Sequence, residues 1–158
     1  MELAVASTIR PICSELSSTP RRKQYGVVFR PPLEFKTPQG GPFLLAAALG
    51  DHIEDSLSGS DVPIFSGSGT KYSIIIQFAG LPQLSRQKYA HDKSGPNTVG
   101  KVARQVAEVM LEYIDKNQNY DTWQSRYNNI AFENIYLLRM TQVSKASFQC
   151  EFGIAVIQ

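Results

Sequence analysis

At 158 residues the chain has the length of one domain. A domain of that size buries roughly 70% of the surface its unfolded chain exposes, so it needs neither a metal nor a disulfide to hold together. Lys and Arg exceed Asp and Glu by only 16 to 14, and a net charge of +2 is too small to argue for nucleic acid by itself. The two cysteines, Cys13 and Cys150, are far apart and make no disulfide framework.

Residues 1–23 show no periodicity beyond a few apolar positions and end in the basic run Arg21-Arg22-Lys23, which predicts a loosely ordered N-terminal arm. Residues 24–158 then form a single domain. Tyr25 to Arg30 is a short strand stopped by Pro31-Pro32, and Leu33 to Lys36 continues it as an edge, where proline is tolerated. After the break at Gly40-Gly41-Pro42, the Ala-rich segment Phe43 to Leu57 spaces Leu45, Leu49, Ile53 and Leu57 as a helix would. Residues 58–70 read as a flexible connection, with Ile64 and Phe65 as an apolar anchor.

Lys71 to Ala79 is the best central strand, with Tyr72, Ile74, Ile76 and Phe78 on one face. Residues 81–97 form a long, basic, irregular linker. From Thr98 to Lys116, Val99, Val102, Ala103, Val106, Met110, Tyr113 and Ile114 fall on one helical face, with Thr98 as its N-cap. This helix is marginal alone and needs a sheet to cover. Tyr120, Trp123 and Tyr127 suggest a further helical turn or two. Ile130 to Val143 and Phe148 to Ile157 are strands joined by the Ser144-Lys145-Ala146 turn. In the second of these, Phe148, Cys150, Phe152, Ile154 and Val156 alternate as in a half-buried antiparallel strand.

The expected fold is α+β with two layers. A mixed, mainly antiparallel sheet of four to five strands carries two main helices on one face, in β-α-β-α-β-β order. The 98–116 helix should lie over Phe148, Phe152 and Ile154, and Val106→Asp should prevent folding.

The sharpest motif is Gly95-Pro96-Asn97-Thr98-Val99-Gly100-Lys101, which fits the G-x-x-x-x-G-K core of a phosphate loop. Val102 stands where a Mg²⁺-binding Ser or Thr belongs, no buried strand precedes Gly95, and Pro96 removes a donor. These features favour a linker ending in a helix cap. Lys101 and Arg104 near the start of the helix, with Glu108, Glu112 and Asp115 toward its end, oppose the helix dipole. Together with Arg86, Lys88 and Lys93 they define a candidate basic patch for an anion or nucleic acid. Tyr120, Trp123, Arg126 and Tyr127 combine residue types enriched at protein interfaces, with a core role as the alternative for Trp123.

His52 sits in an exposed-looking turn, His91 in the linker, and Cys150 faces the core. No G-x-S-x-G elbow and no zinc or calcium spacing occurs, so no catalytic residue, metal or cofactor is expected. Met1 to Ser7 lacks a basic signal-peptide start, and no apolar run approaches the ~20 residues of a membrane span. An intracellular setting, cytoplasmic or nuclear and without a membrane, is the expectation.

The run Ile74 to Gly80, then Ser85-Arg86-Gln87, Asp92, Gly95-Pro96, Thr98, Lys101-Val102-Ala103 and Val106-Ala107, resembles small fungal proteins of no established activity over about residues 72–116. The resemblance implies an intracellular eukaryotic setting and brings no site residue with it. The expected function is that of a small non-enzymatic binding module for a protein partner or its own copy. The alternative is nucleic-acid or phosphate binding through the basic patch at the start of the 98–116 helix.

Overall fold

The computed structural model describes residues 7–11, 30–65 and 70–157, with backbone pairing alone for 7–11, 156 and 157. In chain order the elements are β1 (Ser7–Pro11), β2 (Leu33–Glu34), β3 (Phe43–Leu44), 3-10 turns at Leu45–Leu49 and Ile53–Asp55, β4 (Lys71–Ile76), β5 (Leu84–Tyr89), β6 (His91–Asp92), β7 (Gly95–Pro96), α1 (Val99–Asn117), a π turn at Trp123–Tyr127, a 3-10 turn at Phe132–Asn134, β8 (Ile135–Ser144) and β9 (Ser147–Ile157). The fold is α+β, an open mixed sheet with one main helix on its face.

Across the sheet the order is β2-β8-β9-β4-β5. β3 lies along the same side of β8 as β2, and β1 along the same side of β9 as β4. Among the described strands only the β4–β9 pairing is parallel. The long β8–β9 hairpin sets the frame, turning at Lys145-Ala146 and pairing Leu137 with Phe152 and Met140 with Cys150. Those side chains share a face with Tyr72, Ile74 and Ile76 of β4. All seven are buried beneath the apolar stripe of α1.

Val102, Ala103, Val106, Ala107, Met110 and Tyr113 are fully enclosed there, so the helix exists because one side of it is the second layer of the core. Thr98 caps it by accepting from the Lys101 N–H at 3.3 Å. The polar end is also fixed. The Tyr113 hydroxyl accepts from Phe78 N–H at 3.0 Å and donates to the Pro82 carbonyl at 3.1 Å, holding the turn after β4 against the helix.

Two expectations are corrected. Phe43 to Leu57 is not a second main helix. Phe43 and Leu44 join the edge of β8 opposite Leu137 and Tyr136, and Gly50 is extended, so only short 3-10 turns remain. Leu45 and Ala48, three apart, are the buried pair, which is the period of a 3-10 turn. Residues 81–97 are not an irregular linker, since β5 and the β6–β7 hairpin occupy them. The inward positions of β5 are Leu84, Arg86 and Lys88, so no apolar alternation marks the strand.

Within the expected 1–23 arm, β1 pairs with the end of β9. The remainder of the arm, Cys13 included, and the Tyr25 to Arg30 strand apart from Arg30 lie outside the described residues. Among the described residues no helix is long and apolar enough to cross a membrane.

Candidate functional site

The basic residues of 86–104 are mostly consumed by the fold. Arg86 forms a two-pronged ion pair with Glu112 of α1, its Nε lying 2.9 Å from both carboxylate oxygens, and Lys88 Nζ lies 3.6 Å from Glu108. The guanidinium holds the Glu112 carboxyl below the usual carboxylate range, and the bond raises Arg86 in turn. Lys101 pairs with Asp92, whose pKa falls to about 2 because the ammonium, and then Ser94, hydrogen-bond the charged form. Lys93 and Arg104 are exposed and have no ion pair among the described residues. Three of the five, Arg86, Lys88 and Lys101, therefore already meet a carboxylate.

The phosphate-loop geometry is equally occupied. The Val99 and Gly100 N–H groups, which would cradle a phosphate, donate instead to Val62 and Ser60 carbonyls at 2.9 and 2.8 Å. A Cβ at Gly100 would sit 3.0 Å from the Ser60 oxygen, so the glycine serves a close backbone approach. Gly95, at φ 118°, opens β7 opposite Asp92, directly after the Lys93-Ser94 turn.

The aromatic quartet divides. Trp123 stacks on Phe78 with centroids 5.8 Å apart, and Tyr127 packs edge-on to the same ring while its hydroxyl donates to the Ala79 carbonyl at 2.7 Å. Both belong to the core. Tyr120 and Arg126 are exposed, the latter 5.6 Å over the Tyr127 ring. The ligand atoms of His52, Glu54 and Asp55 lie within 4.8 Å of one another on an exposed turn, without a buried donor among them.

A different set of residues converges. At the end of the sheet where β4 begins and the β8–β9 hairpin turns, a cavity of about 110 Å³ is bounded by Arg30, Lys71 and Lys145. Its floor is a three-ring cluster: Phe65 to Tyr72 at 4.6 Å, Phe65 to Phe148 at 5.8 Å and Tyr72 to Phe148 at 6.0 Å. Arg30 lies over two of these rings, 5.8 Å from Phe65 and 5.7 Å from Phe148, and its Nη1 donates to the Ile64 carbonyl at 3.0 Å. The Ser73 N–H donates to the Ala146 carbonyl at 2.7 Å, so the start of β4 and the hairpin turn keep Lys71 and Lys145 on one rim.

Among the described residues no carboxylate lies within ion-pair distance of Arg30, Lys71 or Lys145. Tyr72, which adds a phenol to the floor, is pushed well above the ordinary phenol range by burial, so it stays neutral, and it donates to the Gln105 Oε1. The arrangement offers three cations and an apolar base to a compact anion.

Sequence reasoning passed over all three cations because they stand in separate segments, before β2, at the head of β4 and in a hairpin turn. No protein-family model, curated protein or solved structure matches the chain.

Proposed function

We propose that the protein is a non-catalytic binding module whose ligand presents an anionic group to the Arg30–Lys71–Lys145 pocket. The observation that carries this reading is a contrast in charge pairing. Arg86, Lys88 and Lys101 each meet a carboxylate, whereas the three pocket cations converge without one among the described residues. An anion entering the pocket would be attracted by all three side chains that line it. Arg30 adds a planar donor set, pre-oriented by the two rings, of the kind that matches phosphate and carboxylate oxygens.

Calorimetric titration with inorganic phosphate and sulfate tests it. Saturable binding that weakens with salt and disappears in a Lys71→Gln/Lys145→Gln variant is expected. Binding that is absent, or unchanged in the variant, would remove the reading.

A second reading, association with another protein or another copy, draws on β5. This six-residue strand ends the sheet and pairs with no further strand among the described residues. Such an edge can accept an added strand. Sedimentation equilibrium of the full chain would show concentration-dependent dimerisation if copies pair there, and a monomer at all concentrations would rule out self-association.

A further inference from the structure

Resting on the anion-pocket reading, we infer that the anion is the phosphate of a nucleotide whose base stacks on Tyr89. The cavity, at about 110 Å³, is well below the ~300–1,000 Å³ that engulf a whole drug-sized ligand, so it takes a headgroup and leaves the rest of the molecule on the surface beside it. That neighbouring surface carries Tyr89, 64% exposed and the most exposed large apolar side chain among those described. Nothing in the core accounts for an aromatic ring there.

Lys71 joins the two features. It lines the cavity, it is the cross-strand partner of Tyr89, and its ammonium lies 5.3 Å from the Tyr89 ring centroid. Ala90, the next residue along, also lines the cavity. The Tyr89 backbone is held in place, its carbonyl accepting from Asn97 Nδ2 at 2.7 Å and from Gln105 Nε2 at 3.3 Å.

An exposed ring beside a cation-lined recess is the combination that binds single nucleotides in a strand, because every base has a π face and every unit a phosphate. A bare acidic side chain would use the cations and leave the ring idle. The net charge of +2 suits one nucleotide unit better than a long duplex, which needs many phosphate contacts. The same chemistry is offered by a free nucleotide and by one unit of single-stranded nucleic acid.

The test titrates the full chain with inorganic phosphate, ribose 5-phosphate, uridine monophosphate and a hexamer of uridylate. Uridine monophosphate should bind about tenfold or more tighter than ribose 5-phosphate, the size of one base stacked on an aromatic ring. Tyr89→Ala should erase that difference, and Tyr89→Phe, which keeps the ring beside the Lys71 ammonium, should restore it. A hexamer that binds far tighter than the mononucleotide marks a strand as the source, and equal affinity marks the free nucleotide; either supports the inference. Equal binding of the sugar phosphate and the nucleotide, or a preference that survives Tyr89→Ala, overturns it while the anion pocket stands. Binding of none of the four overturns both.

Discussion

Arg30 and Phe148, from opposite ends of the sequence, meet with the guanidinium carbon 5.7 Å from the ring centroid. The contact seats the guanidinium at the pocket wall, with the Phe65 ring centroid also within 5.8 Å of it. Charge alone is therefore not what Arg30 contributes. Arg30→Lys keeps the charge and loses the planar donor set, and phosphate affinity should fall about tenfold by calorimetry while the melting temperature barely moves. An unchanged affinity would mean that only net charge matters there.

Tyr113→Phe tests the join between α1 and the turn after β4. The variant keeps the ring packing against Phe78 but strands a buried Phe78 N–H that has bonded to the hydroxyl. Leaving such a donor unsatisfied costs about 1–3 kcal/mol. Urea unfolding should show that loss without a change in the slope of the transition.

Val106 is completely enclosed between α1 and the sheet. Val106→Asp puts a carboxylate there with no partner, at a cost of several kcal/mol, a large part of the ~5–15 kcal/mol that stabilises a domain of this kind. Circular dichroism of the variant should show loss of the cooperative thermal transition. Leu111→Asp on the exposed side of the same helix should retain it.

Asp92 gives a pH signature. Folding lowers its pKa from 3.8 to about 2, so as pH falls the unfolded chain takes up the proton first. The stabilisation from this carboxylate is complete above about pH 4 and is lost as pH falls through about 2. In Lys101→Met the carboxyl should titrate higher, measured by its side-chain NMR shift, yet below 3.8, because Ser94 still donates to it through its N–H and hydroxyl.

What the sequence disclosed follows from where the chain has only one solution. Val99 to Ile114 carries a stripe at helical period, and Phe148 to Ile154 alternates strictly, so α1 and β9 can be read directly. β5 could not be, because Arg86 and Lys88 occupy inward positions and are made tolerable by Glu112 and Glu108, which lie on a different element. The same pairing hides the outcome for the basic patch. Proximity in sequence gathered Arg86, Lys88 and Lys101, but only the fold reveals that each already has a carboxylate. Phe43 to Leu57 misled because the edge of β8 outcompetes helix formation at its first two residues. The pocket was invisible because its cations become neighbours only through the β4–β9 pairing and the placement of Phe65.

The most direct measurement is a titration of inorganic phosphate into the isotope-labelled full chain, followed amide by amide. Saturable shifts centred on Arg30, Lys71, Lys145 and Ala146, with Gly100 and Lys101 still and with no response in Lys71→Gln/Lys145→Gln, are the predicted result. Shifts centred instead on Gly100 and Lys101, or no saturable shift anywhere, would contradict it.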